Sequence, residues 1–133
     1  MQVQELKSEI YKILSDKLHY TVSDTPKNDD DFPFVRISTT SLRRIPYKKG
    51  AAEYEISFSL DIFSNYNGEA EVLRMEKEIY DAMPDLYKVN GVVNVSGPSS
   101  HFITDKSMGI VLQHGIIVYS IKVAGEEWKC QIF

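Results

Sequence analysis

The sequence has little cysteine: Cys130 is the only one. A lone thiol excludes an intramolecular disulfide, and no cysteine–histidine cluster with zinc spacing is present. That composition points to a reducing compartment. Long apolar runs are missing too. No window approaches the roughly 18 consecutive apolar residues of a membrane-spanning helix. The opening MQVQELKSEIYKILSDKL carries a charge every few positions, unlike a signal peptide. Synthesis and residence in the cytosol are therefore expected, unless a larger assembly carries the protein out. Positive charge is not in excess: 15 Lys and Arg stand against 19 Asp and Glu, for a net charge of -4. A nucleic-acid binder would normally carry a basic face.

The common reaction templates are absent as well. There is no glycine-rich phosphate loop, no G-x-S-x-G elbow and no H-E-x-x-H. The histidines His19, His101 and His114 are far apart and have no neighbouring ligand residues. Cys130 has no base beside it that would activate a thiol. The run Asp29-Asp30-Asp31 offers hard oxygen ligands, but adjacent residues do not converge readily on one ion. We therefore expect no catalytic residue, no cofactor and no metal site, and hence no enzyme.

What is present is an ordinary globular composition. The 133 residues are 43% hydrophobic and 26% charged, which fits one self-supporting domain over residues 1–133. Val3, Leu6, Ile10, Ile13, Leu14 and Leu18 recur every three or four positions and predict an amphipathic helix. Residues 22–33 read as a solvated loop around Pro26, the three aspartates and Pro33. Alternation of Val35, Ile37 and Thr39 with polar residues predicts a strand over 34–42. Glu53 to Phe63 alternates without a break: Tyr54, Ile56, Phe58, Leu60 and Ile62 fall on one face and polar residues on the other. The two strands should be antiparallel neighbours joined by a long hairpin. A turn at 64–68 leads to a second helix over Glu69 to Met83, with Val72, Met75, Ile79 and Met83 in one stripe, ended by Pro84. Beyond it we expect a short strand at 89–95, a turn at 96–100, a short edge strand at 102–105 and a long strand at 111–123. Gly109 and Gly115 are candidate bulge positions. Trp128, Ile132 and Phe133 suggest that the segment after Gly125 docks somewhere.

The fold class is thus α+β: a mostly antiparallel, mixed sheet of four to five strands with two helices packed on one face, in the order α-β-β-α-β-(β)-β. Surface chemistry concentrates in one place. Arg43, Arg44, Lys48 and Lys49 cluster with Tyr47 around Pro46 in the expected hairpin. Glu53, Glu55 and Asp61 lie on the polar face of the adjoining strand. A basic arm and an acidic strip on one protein can join copies head to tail, closing a ring if the rotation permits. These eight residues are the candidate interface.

Asp31-Phe32-Pro33-Phe34-Val35-Arg36-Ile37, the alternating strand from Glu53 to Ser64, Tyr66-Asn67-Gly68-Glu69-Ala70-Glu71 at the second helix, and the late strand from His114-Gly115 to Lys122-Val123 together resemble the phage tail-terminator and tail-completion family. The resemblance spans nearly the whole chain and rests on pattern and order. It implies a ring, usually of six copies, stacked on the tail tube. It also implies the major tail-tube protein and a neck or head-completion protein as partners. The expected locations are the host cytoplasm during assembly and then the virion tail. No catalytic or cofactor residues come with the resemblance. The competing reading is a small nucleic-acid or regulatory binding module with a ferredoxin-like sheet. It needs exposed aromatics with basic neighbours on the sheet face, where this chain places acids.

Overall fold

The computed structural model describes residues 2–24, 32–45, 53–106, 109 and 111–124. Helix α1 spans Val3–Lys17. Its apolar stripe buries Leu6, Ile10 and Leu14 completely, Val3 and Ile13 pack against the same core, and Ser8, Tyr11 and Lys12 stay exposed. Glu5 accepts the Gln2 N–H at 3.2 Å and so ties down the first turn. Leu18 takes an extended conformation and ends the helix. The chain then forms strand β1, Thr21–Ser23, paired in parallel with the start of strand β2. This corrects the loop expected from residue 22. Three residues are too few for a period to show; Val22 pairs with Val35 and joins the core that α1 covers. The three aspartates, Asp29 to Asp31, lie outside the described residues.

Strand β2 runs over Phe34–Ile45 and strand β3 over Glu53–Ser64, antiparallel to each other as expected. Arg43, Arg44 and Ile45 belong to β2 and not to a turn. On β3, Tyr54, Ile56, Phe58, Leu60 and Ile62 all enter the core. Helix α2, Ala70–Ala82, buries Val72, Met75, Ile79 and Ala82. Pro84 does not stop the chain from coiling. It sits in the first turn of a 3-10 segment, Met83–Lys88, where a proline needs no N–H partner.

Strand β4, Val92–Asp105, is a second correction. The expected strand, turn and edge strand are one continuous 14-residue strand, with register shifts between Val92 and Asn94 and between Ser96 and Ser99. Gly97 permits the second shift. Its φ is +111°, and a Cβ there would lie 2.9 Å from the Val118 carbonyl oxygen. Strand β5, Leu112–Ala124, pairs with β3 on one side and β4 on the other. Gly115 is not a bulge: it pairs in regular register with Ile62 and Phe102. It is small because a Cβ would come within 2.6 Å of Ile62 Cγ1.

The sheet order is β1-β2-β3-β5-β4, antiparallel except for the β1–β2 pair. Both helices pack on the face carrying Ile37, Phe58, Ile117 and Ile121, and one core joins them to the sheet. The architecture is the α+β sheet with two helices on one side that the order of elements predicts. No described helix is long and apolar enough to cross a membrane.

Candidate interaction surface

With both helices on one side, the other face of the sheet is left without a helical layer among the described residues. Strand register arranges it in rows. At one end, Phe34, Phe63, His114 and Ile103 stand side by side. Arg36, Asp61, Ile116 and His101 come next. Two rows of small side chains cross the middle: Ser38, Ser59, Val118 and Ser99, then Ser41, Ser57, Ser120 and Ser96. Arg43, Glu55, Lys122 and Asn94 form the charged end, with Glu53 beyond them.

A bulge between Thr39 and Ser41 decides which residues of β2 reach this face. Strict alternation from Val35 would put Arg43 on the helix side. The extra residue reverses the parity, so Arg43 lies opposite Glu55 on the open face and Arg44 lies opposite Tyr54 on the other. The two arginines of the arm therefore point to opposite sides of the sheet. Tyr47, Lys48 and Lys49 lie outside the described residues.

The three acidic residues have different surroundings. Glu55 meets Arg43 at 3.7 Å and Glu53 meets Lys122 at 3.7 Å, both near the surface. Asp61 is 8% exposed, pairs with Arg36 at 2.9 Å and accepts the Ser59 hydroxyl at 2.6 Å. Asp61 is thus held inside its own sheet and offers little to a partner. Arg36 was not among the candidate residues. No local sequence signal couples it to Asp61, because the two meet only through the β2–β3 register.

The aromatic end is tightly made. Phe34 stacks on Phe63 with ring centroids 4.7 Å apart, and Phe63 stacks on His114 at 4.3 Å. Phe32 packs tilted against Phe34 with ring centroids 5.4 Å apart, and the Arg36 guanidinium lies over Phe63 at 5.4 Å. Burial holds the His114 imidazole below its ordinary pKa, and the Arg36 charge adds to that. Asp61 and Asp105 oppose it. A neutral ring stacked on Phe63 is the result. No group of three or more His, Cys, Asp or Glu side chains among the described residues is placed to hold a metal ion.

No family model matches the chain, and none of the curated proteins searched matches it. Among solved structures, the fold is similar to a chain in the structure of the virion of native gene transfer agent (GTA) particle. The TM-score is 0.52 and the identity 13%, and the similarity covers 87% of this chain and 92% of that chain. At that identity what the two chains share is the fold, nearly end to end.

Proposed function

We propose that this chain is a tail-terminator or tail-completion protein of a phage or prophage. In this reading it is a non-catalytic virion component that caps the tail tube as a ring and prepares it for joining to the head. The observation that carries the reading is the fold likeness to a gene transfer agent virion chain over almost the full length of both. The sequence resemblance to a phage tail family supports the same setting. The surfaces fit the role. A terminator needs a rigid subunit with two unlike faces and contacts spread over broad surfaces, not in a cleft. The sheet offers one helix-backed face and one banded open face, and the β2–β3 arm brings Arg43 and Arg44 to its end. The proposed partners are further copies of the chain in a ring of six, the major tail-tube protein and a neck or head-completion protein.

The test is electron microscopy of particles assembled with the gene deleted. Overlong or headless tails are expected, with recovery when the gene is supplied in trans. Tails of normal length bearing heads would refute the reading.

A further inference from the structure

On the side of the helices, the two edges of the sheet carry features that complement each other. Beside β4, a cavity of about 290 Å³ lies between that strand, the end of α2 and the 3-10 segment. Tyr80 and Tyr87, 51% and 52% exposed, line its mouth, and Met83, Val95 and Tyr119 line it deeper in. Tyr119 is buried, yet its hydroxyl has no hydrogen-bond partner among the described residues. A buried hydroxyl in that state is costly, and such groups are normally satisfied. Burial first, then Glu76 and Tyr80, push its pKa up, so the phenol keeps its proton and its oxygen can still accept.

The surroundings are acidic. Residues 69–88 hold six Asp and Glu against three Lys and Arg. Asp81 lines the cavity and holds Lys77 at 2.7 Å. Glu76, one turn before Tyr80, accepts the Ser100 hydroxyl at 3.2 Å and forms no ion pair among the described residues. The Val95 N–H already donates to Tyr87 Oη at 3.0 Å, so a strand added here would find that donor taken. The cavity is also smaller than the roughly 300–1,000 Å³ of sites for drug-sized ligands. Two tyrosine rings, an acceptor without a donor and an excess of negative charge suit a guanidinium, a planar cation that stacks on aromatic faces and carries five donors.

The opposite edge presents such a group. Arg44, near the end of β2, is exposed and has no ion-pair partner among the described residues, whereas Arg43 is held by Glu55. Strand β1 pairs only with Phe34 to Arg36, so β2 at 42–44 is an open edge among the described residues. Register puts Leu42, Ile56, Ile121 and Val95 in one row across the sheet and Arg44, Tyr54, Val123 and Val92 in the next. Tyr54, Ile56, Ile121 and Val123 belong to the helix-backed core, so both rows lie on that side. Leu42, 41% exposed, is thus level with the cavity at Val95. Arg44 starts one row away, about 7 Å along the strand, which its side chain can span. Copies set side by side in one orientation bring the two edges together, a head-to-tail contact that can repeat around a ring.

We propose that the Leu42–Arg44 edge of one copy docks on the β4 edge of the next, with the Arg44 guanidinium seated between Tyr80 and Tyr87 and donating to Tyr119 Oη, and Leu42 packed against Val95. The contact deepens the proposed function and rests on it, because it supposes that copies join in a ring.

Photo-cross-linking of the full-length chain tests it. Leu42→p-benzoylphenylalanine, irradiated at assembling concentration or on purified tail tube, should link to residues 80–97 of a different copy, as mixing isotope-labelled with unlabelled chain will show. Arg44→Glu should raise the concentration for half-assembly at least about tenfold, and Arg44→Lys should recover it only in part, since an ammonium neither stacks nor forks. Tyr119→Phe keeps the ring and removes the acceptor, and should weaken assembly about fivefold, the worth of one neutral hydrogen bond. Circular dichroism should stay native in all three. Parental assembly by Arg44→Glu or Tyr119→Phe would overturn the proposal. So would cross-links confined to one copy, to the tube protein or to another part of the second copy, and so would a chain that stays monomeric both alone and on the tube. Any of these, with overlong or headless tails in the deletion strain, would leave the proposed function standing. The expected cross-link, with normal tails in that strain, would keep this contact and remove the proposed function.

Discussion

Reversing charge on the arm separates its role in assembly from its role in folding. Consider Arg43→Glu combined with Lys48→Glu. Among the described residues, Arg43 has one ion pair, with Glu55 at 3.7 Å, and the two side chains are 70% and 40% exposed. Pairs so exposed are worth roughly 0.2–1 kcal/mol, and like charges placed directly opposite across two strands cost a similar amount. The expected loss of stability at this position is therefore about 1–2 kcal/mol. In a domain of this size about 1 kcal/mol moves Tm by about 4 °C. For Arg43→Glu alone, melting should therefore fall by no more than about 8 °C, and the sheet should remain native by circular dichroism. Assembly should respond far more. If the arm meets an acidic surface, each reversal exchanges an attraction for a repulsion at a contact that approach makes drier. The assay is native mass spectrometry or size-exclusion light scattering, with purified tube where the chain alone stays monomeric, at about 0.05 and 0.5 M salt. The parent should lose assembly as salt shortens the screening length, and the variant should fail at both. Assembly of the variant at parental strength would remove the arm from the interface. A melting loss well beyond the limit worked out above would show that these residues serve the fold.

Other substitutions probe the frame that carries the surface. Gly115→Ala drives a Cβ to 2.6 Å from Ile62 Cγ1 and 3.2 Å from Phe102 Cε1; a loss of about 1–3 kcal/mol in urea unfolding is expected from overpacking, and an unchanged midpoint would show that Ile62 yields freely. Arg36→Ala leaves the nearly buried Asp61 carboxylate, among the described residues, with only its Ser59 hydrogen bond. It should cost about 1–3 kcal/mol, and Arg36→Ala combined with Asp61→Ala should cost less than the single change, as a double-mutant cycle would show. His114 is held neutral with its pKa lowered by folding, so the unfolded chain binds the extra proton first. Stability should be flat above the unfolded pKa of about 6.5 and should fall as pH drops below it. His114→Phe should flatten that part of the stability–pH curve, and an identical curve in the variant would place the effect elsewhere.

The elements with long, regular periods are legible in the sequence alone. The stripe Leu6, Ile10, Leu14 and the alternation from Tyr54 to Ile62 are local signals, and burial follows them residue by residue. What escaped depends on pairing between distant segments. Gly97-Pro98 has the composition of a turn, but β5 lies alongside and holds β4 through it as a bulge. The irregularity at Thr39 and Ser41 leaves no mark in composition, yet it decides that Arg43 and Arg44 face opposite ways. Asp61 was correctly placed on the polar face by parity. Parity does not report that Arg36, 25 residues earlier, reaches across to hold it. The cavity beside β4 draws on α2, the 3-10 segment, β4 and β5 at once, so no local pattern announces it.

The open face carries aromatic rings and an arginine, the ingredients with which a ferredoxin-like sheet stacks nucleic-acid bases. Their arrangement argues against that use. A base needs a free ring face. Here Phe63 has Phe34 on one side and His114 on the other, with interplanar angles of 24° and 16°, and Phe34 is 6% exposed with Phe32 against it. The rings have spent their faces on one another. Arg36, the cation nearest to them, is committed to Asp61. Lys122 and Arg43 at the far end of the sheet face Glu53 and Glu55, so among the described residues no continuous positive track crosses the sheet for a phosphate backbone to follow. What remains is a surface apolar at one edge, small and hydroxyl-bearing in the middle, and mixed in charge at the other. In the proposed assembly role, that gradient would be matched by another folded protein presenting complementary bands, and the serine rows would let its backbone come close.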